Sequence, residues 1–396
     1  MSIDFYSWIS LSIRWLHIIT GIAWIGASFY FVWLDNNLER PEGGAKKGEA
    51  DGELWSVHGG GFYHNKKYMS APDHMPDHLH WFKYEAYFTW ISGFLLLAVI
   101  YYYGANLYLI DKAKMAFTPI QAIGTSLAML AGGWIMYDQM CKSALRKHPG
   151  LFAILLFALL TLAAFVADKL FSDRAAYIQV GAMIGTMMAG NVFFNIIPNQ
   201  KIVVADLIAG RPVNPEFGKA AKLRSMHNNY MTLPVLFIMV SNHYPMTYGS
   251  ALGWLSLAFI ALAGIAIRHY FNIRHLSRIK GPYIFLAIFF MLAAMLFPLA
   301  LRKDSPPTPT GTVTFSQARD IVHTRCTVCH ATNPTHEAFD EPQGGLKLET
   351  DDEIRRAATR ILQRAVIAQD MPLGNETNIT NEEREMLRQW IIALEE

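Results

Sequence analysis

Eight long apolar runs fill most of the first 300 residues of the chain. They lie at about 7–34, 84–104, 117–137, 151–167, 175–197, 230–249, 251–267 and 282–301. Each run is long enough to cross the roughly 30 Å hydrocarbon core of a bilayer as an α-helix. A composition that is 52% hydrophobic and only 17% charged fits this interpretation. The pattern predicts an all-α protein that begins with an eight-helix transmembrane bundle in contact with membrane lipid.

A short motif near the end of the chain, RCTVCHATNP at 325–334, has the spacing Cys326-x-x-Cys329-His330. In c-type cytochromes, two thiols at this spacing bond the porphyrin and the adjacent imidazole binds the iron. The motif predicts a covalent haem c with His330 as a metal ligand, and therefore a role in electron transfer. The remaining cysteine, Cys141, is interpreted as an inert thiol.

The distribution of positive charge predicts how the bundle is oriented. If the N-terminus lies outside, the inner loops hold 18 lysines and arginines and the outer segments hold six. This is the bias that the positive-inside rule describes. Eight crossings then carry residue 302 onward to the outer face, where bacteria attach haem to this motif. We expect a multi-pass protein of the bacterial inner membrane, with its N-terminus and haem-bearing tail in the periplasm.

The segment KDSPPTPTGT, at 303–312, cannot continue a helix and is typical of a short semi-rigid spacer. It divides the chain into a transmembrane domain at 1–302, a linker at 303–312 and a small class I-like cytochrome c domain at 313–396. Within this last domain, apolar periodicity predicts a helix at 315–325 and an amphipathic closing helix at 382–394.

Two methionines of the tail could complete the haem iron. Met371 stands before Pro372 in the loop sequence QDMPLGN, whereas Met386 lies on the apolar face of the closing helix. A thioether opposite His330 would give a His/Met iron with a raised reduction potential. We predict that Met371 is the second axial ligand, the other interpretation being an ordinary loop methionine.

Ionisable residues deep in a membrane bundle are costly to bury and are therefore functional candidates. Only Arg14 and His17 lie deep within an apolar run. At about 1.5 Å per residue, His17 is roughly 15 Å from the outer end of the first helix. Two interpretations are open: a histidine that hydrogen-bonds a neighbouring helix, or an axial ligand of a non-covalent haem b.

Polar residues gather at the predicted inner ends of five helices. They are His80, Lys83 and Glu85 on the second helix, Trp134 and Asp138 on the third, Asn191, Asn195 and Asn199 on the fifth, His227, Asn228 and Asn229 on the sixth, and His269 on the seventh. An asparagine stripe can simply join membrane helices to one another. A pocket that faces the cytoplasm and is rich in amide donors and acceptors explains the clustering better.

The first inner loop contains three glycines between His58 and Phe62, followed by Lys66 and Lys67. Glycines let a backbone approach a ligand closely, but the spacing is not that of a phosphate-binding loop. The same loop repeats Pro-Asp-His, so His74, His78 and His80 could hold a metal. Because Pro76 would break the helix that aligns those histidines, a capped entry into the second helix is preferred.

Four stretches of the membrane part, followed by a haem c tail, carry a resemblance. They are RWLHIITGIAWIGASFYFVWLD, WSVHGGGFYHNKKY, HWFKYEAYFTWISGF and GTMMAGNVFFNIIPNQ. Together they resemble the bacterial membrane-bound, cytochrome-c-linked urate oxidases of purine degradation. The resemblance covers about 1–300 with the urate oxidase membrane domain and about 312–396 with a small cytochrome c. It implies that urate becomes 5-hydroxyisourate without hydrogen peroxide, and that electrons pass to cytochrome c.

Urate is planar, largely a monoanion, and edged with alternating N–H and C=O groups that asparagine amides can match. The substrate-binding candidates are therefore Lys83, Asn191, Asn195 and Asn228. The candidates for the catalytic base are His80, Glu85 and His227, and a second candidate cation is Arg268. A soluble cytochrome c or a terminal oxidase would accept the electrons. The net charge of +2 gives no reason to expect a nucleic-acid partner.

An inner substrate pocket and an outer haem c would be separated by most of the bilayer. One electron transfer over that distance is implausible, so a second redox centre is expected, with haem b on His17 as the candidate. The main alternative is a non-catalytic haem c subunit that anchors a respiratory oxidase or dehydrogenase complex. A haem-copper oxidase core is disfavoured because only one histidine lies deep, and a transporter because no internal repeat is found.

Overall fold

The computed structural model describes residues 5–45, 48–68, 75–250, 252–274, 281–300 and 313–394. Eight long helical stretches precede residue 301 in these ranges. Their α-helices are α1 (Phe5–Asn37), α2 (Tyr84–Leu96), α3 (Pro119–Lys142), α4 (Pro149–Leu170), α5 (Asp173–Gly190), α6 (Ile197–Ile208), α7 (Pro215–Ser241), α8 (Gly253–Ile273) and α9 (Gly281–Ala300), with α5 and α6 forming one stretch. The linker predicted at 303–312 lies outside the described residues.

Seven of these stretches, within the described residues, are long and apolar enough to cross a membrane. The eighth, α7, is not among them, because it combines an apolar second half with a polar first half that includes Arg224. The predicted sixth run, 230–249, is therefore wrong in its boundaries. The helix begins at Pro215 and ends at Ser241, and a turn at Pro245–Thr247 follows. His227 and Asn228 consequently lie in the middle of a helix instead of at its start.

The glycine-rich inner loop forms a small β-ribbon, which the sequence analysis missed. Strands β1 (Gly52–His58) and β2 (Gly61–Lys67) pair antiparallel, with His58 opposite Gly61. The two glycines between them have positive φ angles, which a tight two-residue hairpin turn requires. The glycines of this loop therefore form a hairpin turn, and the idea that they bring backbone to a ligand is not needed to explain them.

Two helices change their winding partway through the bundle. A π-helical segment, Leu97–Tyr102, continues α2, and another, Asn191–Ile196, joins α5 to α6. Such segments interrupt the i to i+4 spacing and are frequent at functional sites. The second segment breaks the regular stripe that Asn191, Asn195 and Asn199 were expected to form.

The core of the bundle lies where α3 packs against α5. Tyr137 and Met187 are fully buried there. A Cβ added to Gly190 would lie only 2.6 Å from the indole of Trp134, so a glycine is required for this close packing. The tight contact brings the polar residues at the C-terminal ends of α3 and α5 side by side.

The tail domain, residues 313–394, is a separate small helical core. Its helices are α10 (Phe315–Arg325), α11 (Thr327–His330), α12 (Asp351–Arg356), α13 (Ala358–Ile361) and α14 (Asn381–Ile392). Val322, Leu387 and Trp390 are buried between them. Threonine capping boxes begin α10, α12 and α14, because each threonine hydroxyl accepts from the backbone three residues on. The helices predicted at 315–325 and 382–394 are found, the second within two residues.

The tail domain contacts one end of the bundle. Gly374, with φ +57°, lies against the carbonyl oxygens of Asn106 and Ile110, and Lys112 pairs with Glu376 at 3.3 Å. We call this the tail-domain end, and the opposite end, where the β-ribbon joins α1 through the Lys67–Asp35 ion pair, the hairpin end. The position of each buried residue in the bundle can therefore be given relative to these two ends.

Candidate functional site

The first buried polar cluster lies between α3, α7 and the π segment of α5, toward the hairpin end. We call it the Asp138–Arg224 cluster. Arg224 Nη2 donates to Asp138 Oδ1 at 2.6 Å, and Arg224 Nη1 donates to Asn191 Oδ1 at 2.9 Å. Both charged side chains are buried, with exposures of 4% and 11%. Because a guanidinium and a carboxylate face each other directly, this cluster carries a balanced pair of buried charges.

The amide of Asn191 connects the rest of this cluster. Its Nδ2 donates to the Tyr137 hydroxyl and to Asn228 Oδ1, both at 2.8 Å, while Asn228 Nδ2 donates to the carbonyl of Met188 at 3.0 Å. The Tyr137 hydroxyl also lies 2.9 Å from His227 Nδ1. The candidates Asn191, Asn228 and His227 are thus brought together. Every polar side-chain atom of Asn191 already has a protein partner in this arrangement.

The second buried polar cluster lies between α1, α7 and α8. We call it the Arg268 cluster; it comprises Asn229, Tyr230, Arg268, His269 and Asn272. Arg268 Nε donates to Asn229 Oδ1 at 2.8 Å, and Asn272 Nδ2 donates to the same oxygen at 3.0 Å. The guanidinium also lies over the Phe29 ring, 3.8 Å from its centroid. Arg268 is only 6% exposed, and within the described residues it has no carboxylate within ion-pair distance.

Two amide atoms of the Arg268 cluster have no hydrogen-bond partner in the described part of the chain. They are Nδ2 of Asn229, a donor, and Oδ1 of Asn272, an acceptor, and both are buried. Beside them the Tyr230 hydroxyl lies 2.7 Å from His269 Nδ1. The cluster therefore contains an unpaired cation, a free donor, a free acceptor and a tyrosine–histidine pair. Sequence reasoning named Arg268 only as an optional cation, and missed Asn229 and Asn272 as a group.

The candidates at the start of α2 lie apart from both clusters. His80 is exposed and packs edge-on against Phe82, with ring centroids 4.6 Å apart, and the Lys83 ammonium lies 4.8 Å from the Tyr84 ring centroid. Glu85 is in the first turn of α2. His80, Lys83 and Glu85 are close to one another in sequence. Within the described ranges, no hydrogen bond or ion pair joins them to either cluster. Their catalytic and binding roles stay predictions.

Two remaining predictions concern Asn195 and the histidine triad of the first inner loop. Asn195 is half-buried in the π segment, where the altered winding separates it from the stripe that begins at Asn191. Its role in substrate binding stays a prediction. His74, one member of the histidine triad that could hold a metal, lies outside the described residues.

His17 connects α1 to α2. Its Nδ1 lies 3.0 Å from the carbonyl oxygen of Thr89 and 3.0 Å from the hydroxyl of Ser92. Gly93 makes room for the ring, since a Cβ there would lie 2.9 Å from His17 Cε1. When Nδ1 donates to the Thr89 carbonyl, the lone pair resides on Nε2, which is the arrangement of a metal-binding histidine. The helix contact of the first interpretation is present, and it leaves Nε2 available for the second.

The haem-attachment motif spans the junction of α10 and α11. Cys326 and Cys329 are free and half-buried, so both thiols are present for bonding to a porphyrin. Burial raises the pKa of the Cys326 thiol to about 12 and lowers the pKa of His330. His330 Nδ1 lies 3.2 Å from the carbonyl of Leu346. Because Nδ1 donates to that carbonyl, Nε2 of a neutral imidazole is left for iron, and these residues fit a haem c.

Met371 lies in a loop at the edge of the tail core. Its carbonyl accepts from Arg384 Nη1 at 2.9 Å, and its N–H donates to the Arg364 carbonyl at 3.3 Å. Met386 also packs against that core, but from α14. Backbone hydrogen bonds therefore anchor the Met371 loop while its thioether is not fixed by a helix. Its role as an iron ligand stays a prediction.

A cavity of about 550 Å³ lies where the tail domain meets the bundle. Four cationic and four carboxylate side chains line it: Lys114, Arg174, Arg364, Arg384, Asp111, Asp173, Asp370 and Glu382. The numbers of positively and negatively charged side chains in the lining are therefore equal. It contains none of the predicted site residues.

The fold and these sites define a multi-helix membrane protein that buries two arginines among amides and carries a haem-attachment motif on a helical tail. Residues 4–299 match the model of the urate oxidase N-terminal family, and the chain belongs to that family. Membership indicates a urate-related oxidoreductase. No curated protein and no solved structure matches the chain. The family match ends before the tail domain begins.

Proposed function

We propose that this chain is a membrane-bound urate oxidase that converts urate to 5-hydroxyisourate and passes the electrons to a haem c on its own tail. One observation carries the proposal: the urate oxidase N-terminal match at 4–299 continues, in the same chain, into a tail whose Cys326, Cys329 and His330 fit a haem c. The chain would therefore join a urate-related domain to an electron acceptor.

The reaction balances without molecular oxygen. Urate and one water give 5-hydroxyisourate, two protons and two electrons, so the new oxygen comes from water and no hydrogen peroxide forms. Cys326 and Cys329 would hold haem c and His330 and Met371 would bind its iron, which would supply a one-electron acceptor when bound. The electrons continue to a soluble cytochrome c or a terminal oxidase.

The bundle separates the two halves of this reaction. Both polar clusters lie toward the hairpin end, whereas the tail domain contacts the opposite end. In the proposed orientation the hairpin end faces the cytoplasm of a bacterial cell and the tail faces the periplasm. A haem b on His17 would divide the electron path into shorter transfers. The contact between Nδ1 and the Thr89 carbonyl, which leaves the lone pair on Nε2 when Nδ1 donates, supports the idea.

The test uses the full-length protein, purified in detergent with haem c oxidised. Adding urate under anaerobic conditions should reduce haem c, which visible absorption reports, and 5-hydroxyisourate should form in proportion. A Cys326→Ser, Cys329→Ser variant, which cannot hold haem covalently, is the control and should neither show the absorption change nor form product. If urate leaves haem c oxidised while dithionite reduces it, the proposal fails and the chain is better described as a non-catalytic haem c subunit.

A further inference from the structure

We propose that Arg268, Asn229 and Asn272 bind the urate anion, with the guanidinium compensating its charge and the two amides pairing with its edge. The inference rests on the proposed function, because it names the residues that would hold the substrate. It places the substrate in the Arg268 cluster and assigns the Asp138–Arg224 cluster a structural role.

The two clusters differ in whether their buried arginine has an acidic partner. Arg224 faces Asp138 at 2.6 Å, whereas Arg268, equally buried, has no acidic partner among the described parts of the chain. Keeping an unpaired charge inside a membrane bundle is costly, and such residues mark ligand or ion sites. An anionic ligand would provide the missing partner. Arg268 Nη1 and Nη2 are the guanidinium nitrogens not used by Asn229 within the described residues.

The hydrogen-bonding groups make the site selective for more than charge. Asn229 Nδ2 needs an acceptor and Asn272 Oδ1 needs a donor, and each is buried without one among the residues that the structure describes. Leaving a buried polar atom unpaired is destabilising. The edge of urate alternates C=O and N–H groups, so a single planar molecule can supply both the acceptor and the donor. Chloride would satisfy the cation but has no hydrogen to donate to Asn272, and phosphate lacks a planar edge on which acceptor and donor groups alternate.

The surroundings also suit a flat ligand. The Phe29 ring covers one face of the guanidinium, which leaves the in-plane N–H groups of Arg268 for an anion. Asn36 Nδ2 donates to the backbone carbonyl of Asn272 at 3.0 Å and so holds α1 against α8. Three helices therefore contribute to one site, α1 through Phe29, α7 through Asn229 and α8 through Arg268.

The experiment measures binding without turnover. In full-length protein whose haem c is first reduced with dithionite, no oxidised acceptor remains, so labelled urate can be followed by equilibrium dialysis under argon. Arg268→Gln should weaken urate binding at least about 30-fold, because it removes a buried charged partner. Asn272→Leu should weaken binding about tenfold. Arg211→Gln, which removes an exposed arginine paired with Asp206, is the matched control and should bind like the wild type.

Stability separates a binding role from a structural one. Urate should raise the unfolding midpoint of the wild type and of Arg211→Gln, but not that of Arg268→Gln. If Arg268→Gln fails to fold, urate binding is measured in Asn272→Leu and Arg268→Lys instead. Both variants keep the buried positive charge, and both should bind urate more weakly than the wild type.

The outcomes distinguish this inference from the proposed function. Undiminished urate affinity in Arg268→Gln or, where that variant does not fold, in both Asn272→Leu and Arg268→Lys, would overturn the inference, as would phosphate competing as well as unlabelled urate. In those cases urate could still reduce haem c in the wild type, and the proposed function would stand. If wild-type protein neither binds urate nor is reduced by it, both fail together.

Discussion

Replacing Asp138 by Asn should destabilise the bundle by about 3–5 kcal/mol, because it leaves the buried guanidinium of Arg224 without a carboxylate. The ion pair is short, at 2.6 Å, and its side chains are only 4% and 11% exposed. The same carboxylate also pairs with Lys142 at 2.6 Å, but that lysine is 61% exposed. Lys142→Gln should therefore cost less than about 1 kcal/mol.

A double-mutant cycle isolates the contribution of the pair. Arg224→Met should cost less than Asp138→Asn, because the carboxylate that it leaves behind keeps Lys142 as a partner. The double variant Asp138→Leu, Arg224→Met removes both charges and should cost less than either single change. The coupling energy from Asp138→Leu, Arg224→Met and the double variant should be about 2–3 kcal/mol.

The assay is denaturant unfolding in mixed micelles, followed by far-ultraviolet circular dichroism. Each variant is compared with the wild type at the same lipid and detergent content. Equal losses for Asp138→Asn and Lys142→Gln would refute the reasoning, because burial would then have no influence. Additive losses in the cycle would refute it as well, since the two charges would not depend on one another.

Three further predictions concern the haem sites and the orientation. Met371→Ala should lower the reduction potential of haem c and remove its sulfur-to-iron charge-transfer band, whereas Met386→Ala should leave both unchanged; the reverse result would transfer the ligand role. Acid-acetone extraction should release a non-covalent haem from the wild type and none from His17→Ala. Gly93→Ala should retain less haem than the wild type, because its Cβ would press on the His17 imidazole. No free haem from active wild-type protein would exclude haem b. A reporter that is active only in the periplasm should be active when fused after Ala300, and activity only in the 35–82 loop would reverse the orientation.

Much of the fold could be predicted because seven of the helical stretches are marked by long apolar runs in the sequence. The predicted boundaries of the sixth run were wrong, because the first half of α7 is polar. Tertiary contacts in the bundle stabilise that half as a helix. Arg224 is one such case, because its partners Asp138 and Asn191 come from α3 and α5. The β-ribbon was also missed, although alternating residues around Gly59 and Gly60 are a recognisable hairpin pattern.

The candidate site was harder to predict than the fold. Sequence shows that Arg224 and Arg268 are both basic residues near helix ends, and it cannot show which one meets a carboxylate. That difference depends on the packing of α3 against α7, about 86 residues away in the chain. The haem motif needed no such information, because Cys326, Cys329 and His330 are adjacent in sequence. The haem-attachment motif can therefore be read from neighbouring residues, and its haem stays a prediction, whereas the proposed substrate cluster required the assembled bundle.

The polarity of α7 has a consequence for how the protein enters the membrane. An arginine at the centre of a lone helix opposes insertion by about 2.5–3.5 kcal/mol, and α7 adds His227, Asn228 and Asn229 to Arg224. During synthesis α3 and α5 leave the ribosome first, and they carry the groups that satisfy Arg224 and Asn228. The α7 segment thus depends on helices already delivered to the bilayer. We therefore expect that damage to α3, such as the loss of Asp138, would impair the insertion of α7.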